Sequence, residues 1–228
     1  SEDVAFYEID DIRIPFDLFC EFMGYWLSGG STMGNAGVVI SQQEGEPARD
    51  RIVNCVKRIG LEQHLDKQEV AFYSTPIRNY LKIFGKCSHK FIPSAIKNAS
   101  VRQIRIFLNA FMLCDGYRRP CKSFVGNHGT EFKSDKDEIL YFTVSERMAG
   151  DLSELILKSG NRPSFSVNKA GVSHKSNGSI ITSNYDCYSI RECYSVTATV
   201  FHKEIQHYDG FVYDLTLEKN HIMYIRRN

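Results

Sequence analysis

The strongest constraint on the fold is a helical face that occurs twice, apolar at the spacing of one turn and interrupted by small residues four apart. In the first copy, Phe19, Phe22, Met23, Trp26 and Leu27 fall at i, i+3, i+4, i+7 and i+8, behind Pro15 and ahead of Gly29-Gly30. That period predicts an amphipathic helix over about 16–29. In the second, Ile104, Phe107, Leu108, Phe111 and Met112 repeat the spacing, with Ser100 as the N-cap and Gly116 as the stop, predicting a helix over about 100–115. Aligned on Gly30 and Gly116, the helices match Gly24 with Ala110 and Ser28 with Cys114. Small residues four apart lie on one face. Most amphipathic helices fill such a face with Leu or Phe, so two helices that leave it empty are expected to pack on each other, backbone to backbone.

The segments beyond the two helices repeat as well. The β-rich run Val38-Val39-Ile40 leads to a helix over about 48–59 ending at Gly60. Leu140 to Val144 leads to one over 145–159 ending at Gly160. Further strand-like runs, rich in aromatic and β-branched residues, lie at Glu69–Thr75, Pro163–Val167 and Tyr185–Val200. Near the end, Phe211 to Leu217 alternates, turns at 218–221 and resumes at Ile222–Ile225, as a β-hairpin would. The fold class expected is α+β, assembled as a tandem pseudo-repeat.

The chain has 228 residues, 43% of them hydrophobic, enough for one large core or two small ones. The longest apolar stretches, such as Phe107 to Cys114, are too short to span a bilayer, and Ser1-Glu2-Asp3 is no signal peptide, so a soluble, unexported protein is expected. The seven cysteines include no Cys-x-x-Cys pair, which points to buried free thiols in a reducing compartment. His202 with His207 and Cys87 with His89 lack the further ligand pair that a zinc tetrahedron needs. A net charge of +1 argues weakly for a nucleic-acid partner. If one exists, the positive charge must be concentrated on one face.

The segments Phe22-Met-Gly-Tyr-Trp-Leu-Ser-Gly-Gly30 and Leu108-Asn-Ala-Phe-Met-Leu-Cys-Asp-Gly116 resemble the paired motifs of the LAGLIDADG homing endonucleases, the second more closely than the first. Lys90-Phe-Ile-Pro through Ser100 resembles that family's approach to its second helix, and Tyr141-Phe-Thr-Val-Ser-Glu146 the approach to the helix after it. Gly210 to His221 is similar to a conserved block of inteins, although a chain ending Arg227-Asn228 and opening Ser-Glu-Asp lacks the splicing termini. The resemblance runs from about Asp10 to His221.

It implies a pseudo-two-fold αββαββα repeat, with two antiparallel sheets forming a DNA-binding saddle and the motif helices at the interface between halves. The halves implied are 1–98 and 99–205, followed by an intein-like hairpin over 206–228. It implies a sequence-specific endonuclease that cuts a long, asymmetric duplex site as a monomer, with Mg2+, Ca2+ or Mn2+ substituting. Hydrolysing both strands calls for carboxylate-held divalent ions, one near each scissile phosphate. Asp115 takes that place in the second half, as catalytic residue and metal ligand. The matching position in the first half is Gly29, which has no acid to offer, so this chain is expected to be inactive or only nicking. A deliberate replacement and a natural loss both fit that departure. Glu21 and Asp17 lie too far back along the helix to stand in, and Glu44 and Glu46 fall in a turn-like stretch.

Lys90 and Lys203 are candidate catalytic lysines, positioned to stabilise charge on the phosphate. The DNA-binding set implied is Ser31, Thr32, Asn35, Gln42, Arg78, Arg118, Arg119, Lys122, Lys133, Lys169 and Arg191, on alternate strand positions and turns, with Arg for guanine and Asn or Gln for adenine. A natural non-cleaving DNA-binding protein and an RNA maturase of the same fold are the competing functions. An intein remnant whose only role was splicing is disfavoured by its termini. The setting expected is the cytoplasm of a bacterial or phage-infected cell, or else an organelle.

Overall fold

A computed structural model describes residues 2–120, 137–174 and 180–194, the strand backbone at 124–125 and 131–132, and residues 204, 205, 207 and 209–211. The C-terminal hairpin expected over 206–228 and the end of the run to Val200 lie outside the described residues, as do Lys122, Lys133 and Lys203.

The chain opens with a hairpin, β1 (Phe6–Ile9) and β2 (Ile12–Pro15), turning through Asp10 in the left-handed region at φ 51°. Helix α1 (Phe16–Gly29) comes directly after it. Then come β3 (Gly30–Met33), β4 (Gly37–Ser41), α2 (Arg49–Ile59), β5 (Gln63–Leu65), β6 (Glu69–Tyr73) and α3 (Thr75–Lys82). A linker with a 3-10 turn at Cys87–His89 and the short α4 (Ser94–Lys97) leads to α5 (Val101–Asp115). The second half continues with β7 (Gly116–Arg119), β8 (Phe124–Val125), β9 (Glu131–Phe132), β10 (Glu138–Thr143) and α6 (Glu146–Lys158). It closes with β11 (Arg162–Asn168), β12 (Gly171–His174), β13 (Ile180–Ser183) and β14 (Cys187–Cys193).

The two halves are built alike. Each has a four-stranded antiparallel sheet, in the order β3-β4-β6-β5 in the first and β7-β10-β14-β11 in the second. Position by position these orders are the same: the strand after the motif helix, its hairpin partner, the last strand and the third. The second half differs by two inserted hairpins, β8-β9 between β7 and β10, and β12-β13 between β11 and β14. The fold is thus α+β, a tandem repeat about a helix pair.

Local chemistry sets the boundaries. Ser100 and Ser145 accept from the backbone N–H of Gln103 and Met148, capping α5 and α6. Gly60 and Gly160 end α2 and stand just past α6 with φ near 90°, a left-handed conformation that glycine adopts without strain. The run Glu69–Thr75, expected to be strand throughout, stops at Tyr73 because Ser74 caps α3 and Pro76 occupies its first turn.

α1 is not amphipathic: Phe16, Leu18 to Cys20 and Phe22 to Leu27 are all buried, as happens when a helix is covered on every side. α5 lies along one flank, and the β1-β2 hairpin with α3 covers another. There Tyr7 stacks on Phe19 with ring centroids 3.9 Å apart, and Tyr80 closes over both. The thiols also differ from expectation, since of the six free cysteines among the described residues only Cys20 and Cys55 are buried. No helix of the described residues is long and apolar enough to cross a membrane.

Candidate nucleic-acid interface and helix-end site

Contacts along α1 and α5 show that the two helices run the same way. At their starts, Asp17 accepts a two-pronged pair of bonds from Arg102, at 2.6 and 2.9 Å, and a third from Gln103. The Arg102 guanidinium holds the Asp17 carboxyl below its ordinary range. Midway, Gly24 meets Ala110 so closely that a Cβ on Gly24 would stand 2.6 Å from the Ala110 Cβ and 2.7 Å from the Phe107 carbonyl oxygen. The small-residue face therefore does what its spacing predicted. Beyond that contact the two C-termini emerge side by side, each passing into a strand with no intervening loop. Gly30 and Gly116 make those transitions in extended conformation. A Cβ at Gly30 would stand 2.3 Å from the Trp26 Cδ1, and one at Gly116 would press on the Met112 backbone.

Asp115 is the last residue of α5. Water reaches its side chain, yet protein crowds it on most sides, and this loss of bulk solvent raises its carboxyl above the ordinary range while the Lys90 ammonium pulls it back. Gly29 is the last residue of α1, half-buried, and a Cβ there would meet only the Ser41 backbone, its carbonyl oxygen at 3.2 Å and its nitrogen at 3.9 Å. The helix ends are therefore asymmetric, one carboxylate against none.

Lys90 comes from the linker and is 4% exposed. Its Nζ donates to the carbonyls of Trp26 (2.9 Å), Leu27 (3.2 Å) and Gly30 (2.7 Å), and lies 4.6 Å from the centre of the Trp26 ring. It is a cationic cap on the negative end of α1. Burial pushes its amine down to about 8, opposed by the Asp115 carboxylate. The lysine singled out for catalysis is thus committed to three carbonyls beside Gly29.

Of the acids weighed as substitutes, Asp17 is held by Arg102, and Glu21 accepts from Tyr25 and Arg58. Among the described residues no group of three or more His, Cys, Asp or Glu side chains could hold a metal ion. The side chains at the helix ends supply one carboxylate and do not by themselves make a metal centre.

Strand alternation sorts the DNA-binding set into two faces. In the first sheet, Val38, Ile40, Val70 and Phe72 point to the helices, so their cross-strand neighbour Thr32 does too, while Ser31 shares the open face with Val39, Ala71 and His64. In the second, Ile139, Tyr141 and Ile190 are core, which turns Arg118, opposite Ile139, toward the helices. Arg119 and Arg191 stand on the open face, both paired with Glu138 of β10. The adjacent pairs Ser31-Thr32 and Arg118-Arg119 cannot share a face, so Thr32 and the exposed Arg118 stand on the opposite side of their strands from Ser31 and Arg119. Arg78 donates from α3 to the Gly34 carbonyl at 2.6 Å and braces the β3-β4 turn. Asn35 lies exposed in that turn, Gln42 is half-buried just beyond β4, and Lys169 pairs with Asp186 at 2.8 Å.

Sequence reasoning missed Glu138, which has no motif around it, and two buried acids. Asp151 of α6 accepts from Lys97 and from the Ile92 backbone N–H. Glu192 of β14 accepts from Arg105, Asn161 and Tyr141. A charged residue within an apolar period was the available signal for each.

No protein-family profile and no curated protein matches the sequence. Among solved structures, the chain is similar to mesophilic variants of the homing endonuclease I-DmoI at 11% identity, covering 78% of this chain and 88% of that one, TM-score 0.48. It is similar to I-DmoI in complex with DNA and manganese at 11% identity, covering 78% and 89%, TM-score 0.45. It is also similar to the N-terminal LAGLIDADG domain of WhiA at 11% identity, covering 77% and 75%, TM-score 0.44.

Proposed function

We propose that this chain binds double-stranded DNA sequence-specifically, as a protein of LAGLIDADG homing-endonuclease lineage whose cleavage is impaired because Gly29 replaces one of two helix-end acids. The observation that carries this is the pairing of two like-ordered sheets on a helix couple whose adjacent ends bear Asp115 and Gly29. Two open sheet faces about a pseudo-dyad suit the two halves of a long, asymmetric duplex site, bound by one chain. The lineage's hydrolysis draws on a divalent ion, magnesium with calcium or manganese as substitutes, acting as Lewis acid. With one carboxylate present, the chain's own residues bind and position DNA and do not complete that chemistry. Intein association and homing belong to the lineage proposed, as does a setting, bacterial cytoplasm or organelle, that holds DNA and keeps thiols reduced.

The missing acid also favours a second reading, a natural non-cleaving DNA-binding protein or an RNA maturase of the same fold. One experiment separates them. The preferred duplex is selected from a random library, and cleavage in magnesium is compared for the unaltered chain, Gly29→Asp and Gly29→Glu. A side chain at 29 requires only a few tenths of an ångström from the Ser41 carbonyl. Cutting restored by either substitution supports the endonuclease lineage. Tight binding without cutting by all three sinks it in favour of a binding protein, and preference for RNA over the duplex supports the maturase.

A further inference from the structure

The two open sheet faces are not chemically alike. Among the described strand residues of the first sheet, that face carries Ser31, Met33, Ser41, His64, Glu69 and Tyr73 around the buried Val39 and Ala71, with an acid but no arginine or lysine. In the second sheet, Arg119 on β7 and Arg191 on β14 flank Glu138 on the strand between them, and each binds a different carboxylate oxygen: Arg119 binds Oε2, and Arg191 Nε lies 2.8 Å from Oε1. The Glu138 side chain is 15% exposed and the arginines 61% and 54%, so the carboxylate is sunk between two outward-facing guanidiniums.

We propose that Glu138 is a specificity-determining residue, which fixes the orientation of Arg119 and Arg191 so that this face selects G·C pairs. The inference rests on the DNA-binding function proposed above. A carboxylate on a DNA-facing surface repels phosphate and lowers affinity, so affinity alone does not account for it. Each guanidinium has five N–H donors in a rigid fork, and one carboxylate oxygen occupies part of that fork and leaves donors directed outward. A fork held in that way matches the O6 and N7 acceptors of guanine in the major groove, while a carboxylate accepts from the N4 amino group of cytosine. With β10 between them, β7 and β14 lie two strand spacings apart, about 10 Å, so two forks leaning on one carboxylate address base pairs within about three steps of each other rather than distant ones. The first sheet, lacking such a group, contributes contacts of another kind.

The test is duplex selection from a random library by the unaltered chain and by Arg119→Ala, Arg191→Ala and Glu138→Gln, each first checked by thermal melting. The unaltered chain is expected to select guanine at two nearby positions. Each arginine variant is expected to lose roughly ten-fold discrimination at one of them. Glu138→Gln, which keeps the shape and removes the charge, is expected to bind non-matching duplexes more tightly and to flatten the preference at both. If it does not fold, Glu138→Asp carries the same expected loss of preference, since its shorter side chain cannot span both guanidiniums. A folded Glu138 variant that keeps the full preference overturns the inference while leaving DNA binding intact. An unaltered chain that prefers no duplex overturns the function beneath it.

Discussion

Lys90 ties together three things that are distant in sequence: the end of α1, the linker between halves, and Asp115. Replacing it with methionine keeps much of the apolar stem but strips the Trp26, Leu27 and Gly30 carbonyls of a shared donor. Loss of a partner at buried acceptors costs about 1–3 kcal/mol, so Lys90→Met is expected to lower stability by that order in urea unfolding. The pH dependence runs the other way. The folded amine titrates at about 8 and the unfolded one near 10.5, so the unfolded chain binds more protons between those values and stability rises with pH across the window. The buried thiols of Cys20 and Cys55, raised by burial, oppose this rise from about pH 9 upward as the unfolded thiols ionise. The difference between unaltered chain and Lys90→Met, measured from pH 7 to 10, isolates the lysine: the gap should widen as pH rises. A constant gap would show that the amine keeps its ordinary pKa.

Among the elements, the helix pair was the most legible in sequence, because contact between backbones demands small residues and few other arrangements do. Gly24 with Ala110 and the N-cap at Ser100 are where their spacing and type predict. What was not legible depended on neighbours distant in the chain. α1 has the period of a one-sided helix, and only the β1-β2 hairpin and α3, which sequence did not reveal, explain why its other sides are apolar too. The open-face residues were half-legible: types came from sequence, but pleat parity, fixed by which strand residues join the core, decided between Arg118 and Arg119. Elements are also held by buried charge. Asp151 joins α6 to the linker through the Ile92 N–H at 2.8 Å and Lys97 at 3.2 Å. Asp151→Ala should destabilise by on the order of 3 kcal/mol, since it leaves a buried donor unmet. Lys97→Ala should cost clearly less, its side chain being 22% exposed. Equal losses in chemical unfolding would contradict this assignment.

For the whole molecule, charge matters less by its total than by its distribution. A net charge of +1 provides little attraction at a distance, so the duplex binding proposed above would have to come from local contacts on the open faces. Binding constants fall by about 0.9 log units per log unit of salt for each phosphate neutralised; a slope of roughly −4 or steeper is expected for a face that spans both halves. Because the helix ends lack a second acid, removing divalent ions with EDTA should change duplex affinity by less than about two-fold, well under 1 kcal/mol by the usual conversion. A flat salt response, or affinity that collapses in EDTA, would count against this arrangement.

Gly30 and Gly116 leave no slack between helix and sheet. A loop would let each sheet settle independently; here each first strand is a rigid continuation of its helix, as a blade is of its handle. The spacing between the two blades is then set at the Gly24-Ala110 pivot, and a small change in crossing angle there is magnified toward β5 and β11 at the outer edges. Like shears, the protein would be retuned at its pivot, far from the sheet faces whose spacing that change would set.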